Sequence, residues 1–467
     1  MFNWNKKKKA AEYAPAVKIE SRSLYRTLGR VALPIALQSL ISSSLSLVDS
    51  LMVGSLGETE LAAVGIGSQI FMLYWGILFG FTSGSAAFMS QFWGAQNTKS
   101  IRKVLGFDIA VCSVIGLVFF ISCMFYPAFV MRLFTDIPEV IEMGTGYVRI
   151  ASPMFLTLVV QLPFTAALRA TQQTKVPMFI SFAVFGTNTF LNYLLIFGKL
   201  GLPALGVNGA ATATLIARSL EIFLVMFVIF GRKNLLAGPL REFFDWNKNL
   251  CFRVMKSALP VTVNETMWSL GMATFVACYG RTSITEYAAY QAGQNIHSLF
   301  IMAAFSLGDA LMILVGQRIG MGQMDYAFAL TKRLLRIGVC IGGVSGLLLI
   351  ALGGPLASLF NFTPEGHQYT IYILTIFGCF MWLKLFNGMS ITGTFRCGGD
   401  TRFAMVAEVS CMWLVGVPLV YTGVFILDVP IYWVVLMGQF YEVVEGCICL
   451  ARFRSRKWLK NLIQHVE

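Results

Sequence analysis

The stretch ALPIALQSLISSSLSLVDSLMVG at residues 32–54 returns as ALPVTVNETMWSLGMATFVACYG at residues 258–280, 226 positions later. The register holds without a gap from Ala32 to Gly94. Gly54 falls on Gly280, Glu60 on Glu286, Ala62-Ala63 on Ala288-Ala289, Gly67 on Gly293, Gln91 on Gln317 and Gly94 on Gly320. Further on, Arg169 with Thr174-Lys175 is echoed by Arg396 with Thr401-Arg402, one residue further out of register. The chain is thus two copies of one unit. In a membrane protein, two similar lobes about a shared central site can expose that site to each side in turn, which points to a transporter.

Composition places the chain in a membrane. Of 467 residues, 57% are apolar and only 13% charged, with a mean hydropathy of +0.70, which excludes a soluble globular protein. The net charge of +13 does not indicate nucleic-acid binding, because the basic residues flank long apolar runs on one side. The ten cysteines include no CxxC pair. Cys447-Ile448-Cys449 lies in an apolar run, and Cys112, Cys123, Cys278, Cys340, Cys379 and Cys411 read as small hydrophobes within spans. His297, His367 and His465 are too scattered for a zinc site. No Gly-Lys-Ser/Thr phosphate loop and no Gly-x-Ser-x-Gly motif occur, so the commonest ATPase and hydrolase signatures are missing. Lys6 to Lys9 lead into a polar stretch with Glu12 and Glu20, which reads as a basic tail and not as a signal peptide.

Twelve apolar runs are long enough to span, at about 31–53, 63–91, 104–130, 146–168, 176–198, 206–230, 257–280, 287–316, 335–360, 370–395, 403–427 and 431–451. Runs of this length exclude strands and predict an all-α integral membrane fold. Taking the N-terminus as cytoplasmic, the inner segments hold 30 of the 36 Lys and Arg residues. Outer connections hold three (Arg132, Lys199, Arg281), and three more fall within spans (Arg149, Arg218, Lys384). This bias predicts both termini inside. The expected organisation is a basic tail (1–30), an N-lobe of six helices (31–230), an inner linker (231–256), a C-lobe of six helices (257–451) and a second basic tail (452–467). Because both halves start from the same side, they are parallel repeats about an axis along the membrane normal.

Several stretches carry a likeness to one family of membrane proteins. The pattern Val48-Asp49-Ser50-Leu51-Met52-Val53-Gly54 through Gly57, with Leu61-Ala62-Ala63-Val64-Gly65, is similar to that family's first helix and outer loop. Asn192-Tyr193-Leu194-Leu195-Ile196-Phe197-Gly198 and Gly206-Val207-Asn208-Gly209-Ala210-Ala211-Thr212-Ala213-Thr214 are similar to its fifth and sixth helices. Arg396-Cys397-Gly398-Gly399-Asp400-Thr401 resembles its loop after helix 10, and Arg454-Ser455-Arg456-Lys457-Trp458 its tail. The likeness runs in order over nearly the whole chain, and by it the sequence resembles the multidrug and toxic compound extrusion (MATE) family. It implies two six-helix lobes in a V, exporting organic compounds in exchange for sodium ions or protons.

A charge at mid-bilayer costs at least ~2.5–3.5 kcal/mol, so each one in a span needs a reason. Asp49 lies toward the outer end of helix 1 among Ser42, Ser43, Ser44, Ser46 and Ser50, where the resemblance implies a coupling carboxylate. Glu265 follows Asn264 in helix 7, five residues past Pro260, a position that frees a backbone carbonyl and permits a hinge. The family's sodium-coupled branch carries a glutamate on this helix. That branch also uses an acid on helix 10, where this chain has Lys384 and Asn387; Asp309 is a replacement, or Lys384 pairs with Glu265. Another branch has an acid on helix 5, where Asn192 and Asn188 stand here. Arg218 and Glu221 have the spacing of an ion pair, and Glu442 and Glu445, like charges at that spacing, need Lys384, a proton or a cationic substrate. Glu408 and Arg149 read as charges near span ends.

The expected coupling set is therefore Asp49, Glu265, Asn192, Asn188 and Asp309. Substrate contacts are expected from Glu265, Trp268, Met267, Tyr290, Lys384, Glu442, Glu445 and Arg218, with Tyr74, Trp75, Tyr279, Met381 and Trp382 as further aromatic and thioether lining. No cofactor is expected beyond a sodium ion at Asp49 or Glu265. The expected partners are small organic substrates and the bilayer of the plasma membrane, with no nucleic acid, and the expected state is a monomer. Secondary multidrug export leads. A lipid-linked precursor flippase or polysaccharide exporter of the same superfamily is the alternative, kept open by Arg218 and Lys384. A membrane enzyme lacks its polar cluster, and a channel would leak without a counter-gradient.

Overall fold

The computed structural model describes residues 21–135, 137–360 and 362–464, so Lys6 to Lys9 and His465 lie outside the described residues. Twelve helical segments follow one another: α1 (Ser21–Gly54), α2 (Glu58–Gly94), α3 (Thr98–Phe125), α4 (Pro138–Ala151 and Met154–Ala170), α5 (Lys175–Phe197), α6 (Val207–Gly231), α7 (Lys248–Tyr279), α8 (Ile284–Gly320), α9 (Met324–Ala351), α10 (Pro364–Phe395), α11 (Thr401–Phe425) and α12 (Ile431–Arg454). All but α7 are long and apolar enough to cross a membrane, if the two pieces of α4, bent by 50°, count as one span. Pro153, which has no N–H to continue the ladder, stands at that bend. α7 is long enough at 32 residues but carries Asn264 and Glu265 mid-helix and lysines in its first turns. Its polarity is accounted for by what it faces inside the protein.

Helix boundaries shift in several places; α1 begins at Ser21, inside the expected basic tail, and α9 at Met324, before the expected 335. α4 begins at Pro138, earlier than the apolar run suggests. The linker after α6 contains a short helix, Leu240–Phe244, and the first turns of α7. The C-terminal tail is docked: Trp458 is fully buried against Gly398, and Leu462 packs at Gly399.

The packing repeats as the sequence does. α1 lies on α5 and α7 on α11; α2 packs with α3 and α4 as α8 packs with α9 and α10; α5 pairs with α6 and α11 with α12. Between the halves, α1 leans on α8 and α7 on α2, which are the same contact after the 226-residue shift. A pseudo-two-fold axis therefore runs between α2 and α8.

The matched residues meet on that axis. A Cβ on Gly94 would overlap the carbonyl oxygen of Gln317, and one on Gly320 would overlap that of Gln91, so only glycine lets the two helix ends cross this closely. Gln91 Nε2 donates to the Cys397 carbonyl at 2.8 Å, and Gln317 Nε2 donates to that of Ala170 at 3.1 Å. Gln91 Oε1 also accepts from the Leu462 amide of the C-terminal tail at 2.7 Å, placing the seam beside that tail. Ala170 and Cys397 are 227 apart, the same one-residue slip seen for the arginines beside them. The last turns of α10, Met389–Phe395, are π-helical and accommodate an additional residue.

Candidate transport sites in the seam and the two lobes

Each arginine of the repeated pair crosses the seam. Arg169, at the end of α4, meets Asp309 Oδ2 of α8 at 3.0 Å and donates to Gln38 Oε1 of α1 at 2.7 Å. Arg396, after the π turn of α10, donates to Ser83 Oγ of α2 at 2.8 Å and pairs with Glu265 of α7. Ser83 and Asp309 are repeat equivalents, so the two arginines make one contact twice with different partners. Arg396 is almost completely buried at 2% exposure, whereas Glu265 retains 21%. The pairs are not independent, since Asp309 lies within electrostatic range of Arg169, Arg396 and Glu265.

In the N-lobe, Asp49 accepts a short hydrogen bond from Asn192 Nδ2, which also reaches Asn188 Oδ1 at 3.0 Å. Asn188 in turn donates to Thr214 Oγ1 at 3.3 Å. Asn192 is fully buried, and its Oδ1 has no partner among the described residues. A turn further along α6, Arg218 pairs with the buried Glu221 at 2.7 Å and sits 5.8 Å from the centre of the Phe71 ring. Gln161 of α4 donates to the same carboxylate at 2.8 Å.

The C-lobe is richer in acids. Glu442 and Glu445 are both 3% exposed on α12. Glu442 lies 3.7 Å from Lys384 Nζ and accepts from Asn387 Nδ2 at 2.8 Å. Half-buried Glu408 of α11 accepts from Asn264 Nδ2 at 2.6 Å, and it lies within electrostatic range of Glu265, Arg396 and Glu442. The side-chain Oδ1 atoms of Asn264 and Asn387 are buried without partners among the described residues. Among the described residues no three His, Cys, Asp or Glu side chains converge as a metal cage.

The structure therefore gathers Asp49, Asn188, Asn192 and Arg218 on one side, and Glu265, Lys384, Glu442 and Glu445 on the other. It corrects several expectations. Lys384 pairs with Glu442, while Glu265 is taken by Arg396, because the π turn aims Arg396 at α7. Asp309 does not join the acids of the C-lobe; it belongs to the seam, held by Arg169. Glu408 is no span-end charge but part of the C-lobe network. Tyr290 is 2% exposed and packs 4.4 Å from Tyr279 as core, and Tyr74 and Met381 are fully buried as well. Trp268 packs against the C-lobe core, and Met267 contributes its carbonyl to Trp413 Nε1 at 3.1 Å. Sequence reasoning missed Asp108 of α3, which is fully buried with Oδ2 accepting from Ser85 and Oδ1 unpartnered among the described residues. An acid inside an apolar run was the available signal. It also missed Arg396 as a buried group, for which no local signal existed.

Two lobes of six helices about an axis, with ionisable groups inside each lobe and across the seam, define a membrane transporter of small molecules. The MatE family profile matches twice, over residues 34–194 and 260–422, starting 226 residues apart like the repeat itself. The chain belongs to the MatE family and is a multi-pass MATE transporter. It is 27% identical over 406 residues to the probable multidrug resistance protein YoeA of Bacillus subtilis (strain 168), covering 85% of this chain and 87% of that protein. To the probable multidrug resistance protein NorM of Thermotoga maritima it is 22% identical, with 96% of each chain covered. A solved MOP superfamily transporter from Pyrococcus furiosus Vc1 superposes with a TM-score of 0.83 at 18% identity, covering 93% of this chain and 96% of that one.

Proposed function

We propose that this protein exports organic cations from the cytoplasm across the plasma membrane, as a monomer, in exchange for sodium ions or protons moving inward. One observation carries the reading: Asp49, Asp108, Glu408 and Glu445 lie in spanning helices and make no ion pair among the described residues. Uncompensated carboxylates at this depth are costly unless a proton or cation neutralises them. The membrane potential acts only on net charge, so it drives the exchange when more than one cation enters per organic cation exported, each net positive charge being worth ~2.3 kcal/mol per 100 mV. At ~150 mV that is ~3.5 kcal/mol, a few hundred-fold gradient at 1.4 kcal/mol per tenfold.

In this reading the basic side with both termini is cytoplasmic and the seam is closed there. Asp49 with its amides and Glu265 with its neighbours hold the exchanged charges. The names of the relatives support drugs as substrates. Arg218 and Lys384, the residues that favour a flippase for anionic lipid-linked precursors, are each neutralised by a glutamate. Purified protein in liposomes, given a fluorescent organic cation under a sodium gradient and separately under a proton gradient, tests the proposal. Uptake driven by at least one gradient and abolished by Glu265→Gln is expected; uptake driven by neither rejects antiport.

A further inference from the structure

Four charges share the seam, but their connections differ in kind. Arg169 and Asp309 belong to different lobes, so any motion that parts the lobes on this side separates them. Arg396 and Glu265 belong to the same lobe, and parting the lobes takes from Arg396 only its bond to Ser83. Asp309 is then a carboxylate without its arginine, and Arg396 already lies within its electrostatic range. An acid at this depth cannot stay unpaired cheaply.

We propose that Arg396 is a tethered cation that moves between Glu265 and Asp309, and so decides when Glu265 is free to take a transported cation. The inference rests on Glu265 being a cation site in the exchange described above. With the seam closed, Arg169 satisfies Asp309 and Arg396 occupies Glu265. With the seam open, Arg169 leaves with the N-lobe, Asp309 draws Arg396 away, and Glu265 is exposed with only like charges nearby. The C-lobe network then holds Glu265, Glu408, Glu442 and Glu445 against Lys384 alone, so one incoming positive charge replaces the one withdrawn. Closing reverses the order, and returning Arg396 ejects the bound cation. Arg396 acts here as a positioning residue: it sets the availability of Glu265 without touching the cargo.

The signs of two substitutions on the same ion pair separate this scheme from a purely structural bridge. Arg169→Gln leaves Asp309 free to hold Arg396, and purified protein should bind tetraphenylphosphonium at least threefold more tightly than wild type. Asp309→Asn leaves Arg396 nowhere to go but Glu265, and binding should weaken at least threefold. The double substitution should behave like Asp309→Asn alone, since Arg169 acts only through Asp309. A structural bridge would shift both single variants in the same direction, and that result overturns the proposal. Modification of Glu265 by dicyclohexylcarbodiimide, read by mass spectrometry, gives the same comparison without any cargo: faster in Arg169→Gln and slower in Asp309→Asn. Equal labelling in both also overturns the switch. If wild type binds neither tetraphenylphosphonium nor sodium while labelling shifts as expected, the switch stands and the antiport reading fails. Should Arg169→Gln not fold, Asp309→Asn alone decides, because slower labelling is required and unchanged or faster labelling rejects the scheme.

Discussion

The two lobes share a backbone plan and differ in where they put charge. Asp49 in the N-lobe corresponds to Phe275 in the C-lobe, a core residue at 3% exposure packed on Tyr279 and Tyr441. In the other direction, Glu265 corresponds to Ser39, Asn264 to Gln38 and Asp309 to Ser83. Of the residues kept in both copies, Gln91 and Gln317, Gly94 and Gly320, and Arg169 and Arg396 meet in the seam. The machinery of closure is duplicated, and what each lobe can bind has diverged. A symmetric hinge with unlike interiors lets one rocking motion act on two chemically different sites.

Moving an acid to its repeat position should break this comparison most severely. Phe275→Asp removes an aromatic core side chain and buries a charge with no partner, so a loss of roughly 3–5 kcal/mol or failure to fold is expected, read by thermal unfolding in detergent. Asp49→Asn should do the opposite, keeping the fold while gradient-driven transport falls to background in liposomes. Transport at the wild-type rate would move coupling to the C-lobe alone. Gly320→Val pushes a side chain into the Gln91 carbonyl and should cost roughly 1–3 kcal/mol, with Gly94→Val matching it within experimental error. A clear inequality would show that the seam is not symmetric in energy.

The smallest effect concerns the docked tail. Burial raises the Asp400 carboxyl, but hydrogen bonds from Arg452 and Lys460 and their charges outweigh it and hold it below its ordinary value of 3.8. Its folded value is depressed, so its contribution is fully present above 3.8 and is lost as pH falls through the lower folded value. Tail docking should therefore be unchanged between pH 5 and 8 and loosen only in strong acid. Asp400→Asn should remove that pH dependence, as followed by the fluorescence of Trp458.

The repeat and the twelve spans were legible in sequence because they rest on periodicity and composition, which survive without knowledge of neighbours, and the family because several motifs resemble it. Asp49 with Asn192 and Asn188, and the Arg218–Glu221 pair, were legible too: a polar residue in an apolar run announces itself, and i,i+3 spacing fixes a partner on the same helix. The wider pairing was not. Which of Lys384, Arg396 and Arg169 meets Glu265, Glu442 or Asp309 depends on how far α10 rotates through its π turn and how closely α2 and α8 cross at their glycines. Those are distances between helices remote in sequence, set by packing against the other lobe. The chain by itself determined that charges would be buried in two matched lobes; only the tertiary structure decided which of them neutralise one another and which are left for a cation.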